Sequence, residues 1–580
     1  MQLVDFTSLT AACCELRAQW LPARLEQVVQ RDRQTINLAL RTLDQRGWLT
    51  ISWHPQAARL CMGEPPPRTP DTFTFSQQLR HQLNGLALVG IAAIAPWERV
   101  VDLQFAQRPN EPALLHLYVE IMGKYSNVIL ANQENLIVTA AHQVSAQQSS
   151  VRTIQTGQFY EAPPQLTEPM PSLSETQERW QQRVSLIPGP LRRNLIKSYR
   201  GLSSVLVSSM AQAVNLEPNQ AVETLSDSDW QDLFHFWQLW LKALEDKQFQ
   251  PGWLSAGYTV LGWGALKPAP NVHTLLHSYY TEQLNQWEFT RLRDQISQKL
   301  RNLLEKLWLK AQIFQERLAQ SAQADEYRQQ ADLLMAHLHD WQPGMRAMTL
   351  PDFETGDLKT IQLNPEKNVI QNAQMLYKQH QKLKRARAIV EPLLVEVKEE
   401  IQYLEQVEAA IQQIDRYQNQ EDLLTLTEIR DELIQQKYLA EPEYRHPVSP
   451  KTEFHRYQTP SGWQLLVGRN NRQNDQLTFR LASPYDLWFH SQEIPGSHVL
   501  LRLEPGAVPG QPDLQFAADF AAYYSRSRQS KQVPVIYTNP KHVYKPKGAK
   551  PGIAIYKNEQ VIWGDPQAAR TYLAQEVVTS

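Results

Sequence analysis

ISQKLRNLLEKLWLKAQIFQERL, from Ile296 to Leu318, decides the architecture of this 580-residue chain. Ile296, Leu300, Leu303, Leu307, Phe314 and Leu318 follow the alternating four-three spacing of a heptad, with one position skipped, so one side of a helix carries an apolar stripe. No Pro or Gly occurs in the 72 residues from Asn271 to Gln342, which predicts a long helix. Val390, Leu394, Val397, Ile401 and Leu404 repeat the spacing in a second arm. Between the arms, WQPGMRAMTLPDFETGD carries the Pro and Gly signals of a turn or small cap. The arms are expected to pair antiparallel, and fifty helical residues at about 1.5 Å each give a rod on the order of 75 Å. A rod of that length suits the bridging of distant sites on a large partner; a coiled coil that only dimerises the chain is the alternative.

Outward from the rod, the first 165 residues mix helical stretches with β-rich runs at Leu114 to Glu120 and Asn127 to Ala131, ending in YEAPPQLTEPMPS. From Ser185 to Leu244 the pattern is helical and opens on IPGPLRRNLIKSYRGLSS, where a Pro-Gly turn lies beside Arg192, Arg193, Lys197 and Arg200. Such a turn can aim backbone amides at a phosphate, or be a plain corner with a solvated basic face. Beyond the break AEPEYRHPVSP, the run from Phe454 to Trp563 is aromatic and punctuated by Gly, and reads as a compact α+β domain. The fold class is thus multidomain α+β, in four parts: 1–170, 180–265, 271–441 with a cap near 342–365, and 450–580.

Composition excludes several classes of function. No apolar run is long enough to span a bilayer, and the N-terminal MQLVDFTSLTAACCEL lacks a basic and then apolar leader, so a cytoplasmic protein with no membrane partner is expected. Cys13, Cys14 and Cys61 lack the paired spacing of a zinc site and read as buried thiols. GxxxxGK[ST], GxSxG, HExxH and the zinc-deaminase signature are missing. His490 and His498 have no cysteine nearby to complete a metal site. No catalytic residue, metal or cofactor is therefore expected. The net charge of -2 hides strong local bias: Arg526 to Lys557 holds eight Lys or Arg and no acid, a surface that attracts a phosphate backbone by counterion release. A second cluster, Lys378, Lys382, Lys384, Arg385 and Arg387, reads as a solvated helix face.

Two strings are the most distinctive, GRNNRQNDQLTFRLASPYDLWFHSQEIPGSHVLLR (Gly468 to Arg502) and YTNPKHVYKPKGAKPGIAIY (Tyr537 to Tyr556). With DxWFH followed by PGSHV, and KHVxKPKGAKPG further on, they resemble the RNA-binding NFACT-R domain of the NFACT family. The rest is similar to that family's order: an NFACT-N domain related in fold to the Fpg/Nei DNA glycosylases, a helix-hairpin-helix-like module, a long antiparallel coiled-coil hairpin and NFACT-R. LNPEKNVIQNAQMLYKQHQKLKRA, Leu363 to Ala386, resembles the family segment that opens the second arm. The family's Asp-Arg pair falls on Glu98 and Arg99, its E-x-x-GRHSN run on Glu120 to Asn127, and an early aspartate on Asp5. Glu98 is one methylene longer than the usual Asp, and Lys124 and Tyr125 replace Arg and His.

The resemblance implies a ribosome quality-control factor. It would bind a large ribosomal subunit that carries peptidyl-tRNA, touching both rRNA and ribosomal proteins, and recruit alanyl-tRNA for untemplated C-terminal alanine tailing that marks the stalled chain for degradation. The ribosome's own peptidyl transferase centre would make the bonds, with this chain a selector and not an enzyme, monomeric on the ribosome. Asp5, Glu98, Arg99, Glu120 and Asn127 are the implied tRNA-binding residues. For rRNA they are Asp486, Trp488, His490, His498, Lys541, Lys545, Lys547 and Lys550. Physically, Asp486, Trp488 and His490 alternate along a strand that runs into the turn at Pro495 to Ser497, leaving His498 at the edge of a surface where it can stack on bases, although Trp488 equally suits a core and Asp486 a turn. The lysines are separated by Pro546, Gly548 and Pro551, so they sit on a stiff loop and not on a helix's solvated face. Two other readings compete: a fibronectin-binding surface adhesin, disfavoured by the lack of leader and anchor motifs, and a glycosylase-like nucleic-acid enzyme. The glycosylases attack with a proline exposed by loss of the initiator methionine; Gln2 and Leu3 stand here instead.

Overall fold

In the computed structural model, residues 1–67, 70–441 and 452–579 are described, with side chains up to Gln575. Most of the break AEPEYRHPVSP lies outside them. The chain divides into two compact units, Met1–Gln286 and Trp287–Ser580.

In the first unit, helix α1 (Phe6–Trp20) precedes strands β1 (Ala23–Asp32), β2 (Thr35–Arg41), β3 (Arg46–Ser52) and β4 (Arg59–Gly63). Helix α2 (Thr74–Leu83) then leads to β5 (Ala87–Ala93), β6 (Val100–Ala106), β7 (Leu115–Glu120), β8 (Asn127–Asn132) and β9 (Ile137–Ala140). All nine strands form one sheet in the order β4-β3-β2-β1-β5-β6-β7-β8-β9, antiparallel throughout. Leu9, Leu16 and Trp20 of α1 and Phe75, Leu79 and Leu83 of α2 share one apolar core with Leu38, Ile51, Leu103 and Leu117 of the sheet. Cys13 and Cys61 are buried in it, where desolvation lifts their thiols to about 12 and about 11, whereas Cys14 is only half-buried.

Four helices follow: α3 (Gln177–Val184), α4 (Leu191–Ser198), α5 (Ser204–Ala213) and α6 (Asp227–Asp246). Trp180, Trp230, Trp237 and Trp240 supply their core, and Ser226 and Asp229 cap α6 reciprocally. A three-stranded sheet of β10 (Gly252–Leu254), β11 (Gly257–Thr259) and β12 (Lys267–Pro268) follows, beyond the helical stretch expected to end at Leu244. These strands are too short for an alternating pattern to be legible.

Helix α7 (Val272–Ala322) has 51 residues and is followed by α8 (Ala324–Ala336). Val272, Leu275, Leu276 and Tyr280 belong to the core of the first unit. From Phe289 onward the buried positions are Leu292, Ile296, Leu300, Leu304, Ala311 and Phe314. The hairpin β13 (Ala347–Pro351) and β14 (Leu358–Gln362) occupies the expected cap, and α9 (Val369–Gln413) and α10 (Gln420–Gln435) return. Val390, Leu394, Val397, Ile401 and Leu404 of α9 lie in the same cluster as the α7 stripe. Phe289 meets Tyr417 just past the end of α9, while near its start His380 bonds the Ala324 carbonyl and Tyr377 bonds Asp332. The two arms are therefore antiparallel.

The last part is a six-stranded sheet, β15 (His455–Gln458), β16 (Gln464–Val467), β17 (Leu487–Ser491), β18 (Val499–Leu501), β19 (Val533–Thr538) and β22 (Gln560–Gly564), in the order β15-β16-β18-β17-β19-β22. Helix α11 (Asn471–Gln476) follows β16, α12 (Gln511–Tyr523) follows β18, and α13 (Pro566–Thr579) closes the chain. Between β19 and β22 a small hairpin, β20 (Val543–Tyr544) and β21 (Ile555–Tyr556), frames the lysine loop. Among the described residues no helix is long and apolar enough to cross a membrane.

Candidate nucleic-acid interface

Two candidate sites arise, one in each unit. In the first, Glu98 and Arg99 sit in the turn between β5 and β6, and what holds the turn is Trp97. Its φ is +62, and its ring packs on Phe6 at 4.8 Å and on Trp240 at 5.5 Å. Gly201, with φ +76, leaves room for that ring, since a Cβ there would lie 2.5 Å from it. Arg99 is half-buried and donates from Nη1 to the Val4 carbonyl at 3.3 Å. Its Nε and Nη2 make no hydrogen bond among the described residues. Burial pulls the guanidinium below its usual pKa, opposed by Asp5 and Glu98. Glu98 accepts from Leu166 N at 3.3 Å.

Asp5 is buried and spent on structure: one oxygen caps α1 through Ser8 N at 2.8 Å, and the other accepts from Ser203 Oγ at 2.6 Å. Glu120 and Asn127 face each other at the ends of β7 and β8. Both are buried. Glu120 takes both terminal nitrogens of Arg152, at 2.9 and 2.6 Å, and the Tyr160 hydroxyl at 2.9 Å. Asn127 donates to the His142 carbonyl at 2.7 Å and accepts from the His142 amide at 3.0 Å. What reaches solvent is the tip between them: Tyr125 is 70% exposed, with Lys124 Nζ 4.9 Å from its ring centre. The Ile121 amide donates to the Arg99 carbonyl at 2.9 Å and so brings that tip beside the Glu98–Arg99 turn. Of the residues that depart from the family pattern, Lys124 and Tyr125 are thus exposed and Glu98 is half-buried.

In the second unit, Asp486, Trp488 and His498 lie inside the domain and not at a surface edge, each at most 1% exposed. Asp486 holds the Ser483 and Leu503 amides and pairs with Arg502 at 3.3 Å. Trp488 Nε1 donates to Thr478 Oγ1, which also bonds His498 Nδ1 at 2.7 Å. His490 stacks on Trp488 and meets His498 edge-on at 5.3 Å, and burial lowers its pKa to about 4 and holds that of His498 well below the usual imidazole range. Alternation along β17 was legible; its facing was not, because the strand is central and covered on both sides. Among the described residues no three His, Cys, Asp or Glu side chains are placed to hold a metal.

The lysines divide as well. Lys545 pairs with Asp475 on α11. Lys550 lies 4.9 Å from the Tyr403 ring centre and 4.7 Å from that of Tyr438, and donates to the Tyr438 hydroxyl. It is a clamp onto the helices, within a polar seam where Arg526 pairs with Glu405 and Glu408, Arg528 with Asp415 and Arg469 with Glu421. Asn470 and Asn471 reach Glu428 and Glu432 of α10 in the same seam. Gly552 presses on Asn471, where a Cβ would lie 2.5 Å from Oδ1. Lys541 and Lys547 are exposed with no ion pair among the described residues. Sequence reasoning counted Lys557 only as the end of the basic run and missed two exposed neighbours, Tyr544 and Ile555. Only the position of Tyr544 opposite Ile555, which needs the hairpin register, could have pointed to them.

A family model described as the NFACT N-terminal and middle domains matches residues 5–452, and one described as the NFACT protein RNA binding domain matches residues 453–558. The chain belongs to the NFACT family. Among NFACT relatives, the protein named Rqc2 homolog RqcH of Streptococcus suis (strain 05ZYH33) is 29% identical over 560 residues, covering 94% of this chain and 95% of that one. Rqc2 homolog RqcH of Bacillus subtilis (strain 168) is 27% identical over 585 residues, covering 96% of each. A solved C-terminal part of the fibronectin/fibrinogen-binding protein from Streptococcus suis is 30% identical and covers 48% of this chain and 95% of its own, with a TM-score of 0.38.

Proposed function

We propose that this NFACT chain acts in ribosome quality control: it binds the large ribosomal subunit bearing peptidyl-tRNA, brings in alanyl-tRNA, and so directs untemplated alanine tailing. The near end-to-end similarity to proteins named RqcH carries this reading. The RNA-binding domain supports it. Arg99 presents free N–H groups of a planar fork beside the Glu98 carboxylate, a geometry suited to a phosphate or a base edge. Asp5, Glu120 and Asn127 contribute by holding that turn and the neighbouring tip. Chemistry is left to the ribosome, and the chain selects and positions.

The test is to purify the tagged full chain from cells and sequence the RNA that comes with it. Alanine tRNA enriched together with large-subunit rRNA is the expected result. Large-subunit rRNA without tRNA would reduce the function to subunit binding, and neither would sink the reading. The name of the Streptococcus suis structure raises the adhesin alternative; removal of the protein from intact cells by protease shaving would favour it.

A further inference from the structure

Of the eight basic residues between Arg526 and Lys557, four are tied internally: Arg526, Arg528, Lys545 and Lys550. The surface they leave open is centred on the small hairpin. Val543 is buried in the sheet's second core, so the alternation of a strand turns the next residue, Tyr544, outward. Tyr544 is 48% exposed, and Ile555, directly opposite it in the register, is 52% exposed. Lys557 Nζ lies 5.9 Å from the Tyr544 ring centre. Lys541 precedes the hairpin and Lys547 follows the ring by three residues, both exposed. The acids nearby include Asp475, already paired with Lys545, Glu399 and Glu400 beside Lys550, and Glu493 and Glu559 beside Tyr556.

We propose that this hairpin holds an unpaired RNA base, with Tyr544 as the stacking platform, Ile555 as its apolar shoulder and Lys541, Lys547 and Lys557 on the flanking phosphates. The proposal rests on the RNA-binding reading of this domain and adds to it a preference for single strands. An aromatic ring among lysines accepts any base on its face, whereas a base inside a duplex offers no face. The platform is also stiff. Lys545 on Asp475, Lys550 on Tyr438 and the Gly552 amide on Asp475 at 3.0 Å pin the loop between the two strands, so little freedom is lost when a base docks.

The experiment measures binding of the full chain to a short single-stranded RNA of mixed sequence, and to the blunt duplex made from it, across a KCl series. Tyr544→Ala is expected to weaken single-strand binding about tenfold, leave duplex binding alone and keep the salt slope, because stacking releases no counterions. Tyr544→Phe, which keeps the face, should bind as the parent does. Lys547→Ala should weaken both RNAs and lower the slope by about 0.7 to 0.9. Equal single-strand binding by Tyr544→Ala and the parent would overturn the stacking role, and would do so even if subunit co-sedimentation were lost, since the hairpin would then dock on protein. A parent chain that binds neither RNA would instead overturn the RNA-binding reading itself.

Discussion

Glu120 and Arg99 entered together as matches to family motifs, yet the fold gives them opposite situations. Glu120 has a fully buried side chain, with its charge met by Arg152 and Tyr160. Removing one partner of such a pair strands the other charge, so Arg152→Ala should cost about 3 kcal/mol. Tyr160→Phe should cost about 1 kcal/mol. Urea denaturation of the full chain reads both, and an Arg152→Ala protein as stable as its parent would contradict the bracing role. A motif reports that a residue type is needed at a position; it does not report whether the group meets solvent or holds up its neighbours. Asp5, Asn127 and His498 were illegible in the same way, since their partners Ser203, His142 and Thr478 lie well beyond one turn of chain, whereas the turn reading of Asp486 was open and it does hold the Ser483 amide. The buried imidazoles add a pH dependence with a definite sign. His490 stays neutral in the fold down to about 4, whereas the unfolded chain takes up that proton near the ordinary 6.5. Stability is therefore full above pH 6.5 and declines as pH falls toward 4, by up to about 1.4 kcal/mol per unit for each such histidine. Replacing His490 by Gln should flatten the decline in the denaturation midpoint.

At the scale of elements, the heptad stripe was the most legible feature because its period is local. Ile296 and Leu300 are buried as the spacing requires, and Leu303, Leu307 and Leu318 flank the seam half-buried. The end of α7 near Gln323 carried no signal, since no Pro or Gly marks it. Conversely, Pro392 sits inside α9, and the helix runs through it. Packing against the facing arm outweighs one lost backbone bond there, which the residue's helix-breaking tendency alone would not show. Leu300 is 1% exposed and Leu309 60%. Leu300→Ala should thus cost 2 to 5 kcal/mol, roughly, and Leu309→Ala less than about 0.5, measured by denaturant midpoint. Equal effects would mean that the stripe is not the seam. The lysine loop was legible as a stiff loop from Pro546, Gly548 and Pro551. That Lys550 clamps onto Tyr403 of α9 and Tyr438 just past α10 was not, because those rings come from more than a hundred residues earlier.

For the whole molecule, the two candidate sites belong to different compact units, so under the proposed function their contributions to ribosome binding should separate. Lys541, Lys547 and Lys557 are the lysines around the hairpin with no acidic partner among the described residues, so under the proposed function they are the ones expected to anchor the chain on rRNA. Changing all three to Ala should weaken co-sedimentation with the large subunit and lower its salt slope by up to about 0.7 to 0.9 for each lost phosphate contact. Tailing should fall with it and return at low salt, where fewer contacts suffice for occupancy. Arg99→Ala should do the reverse: sedimentation and its salt slope stay near the parent's, and alanine tailing is lost at every salt concentration. The two changes combined should give the sedimentation defect of the lysine variant with no recovery of tailing at low salt. A lysine variant that sediments like its parent would remove the anchor from this loop. An Arg99→Ala protein that tails normally would remove the tRNA role from the Glu98–Arg99 turn, and with it the division of labour between the two units.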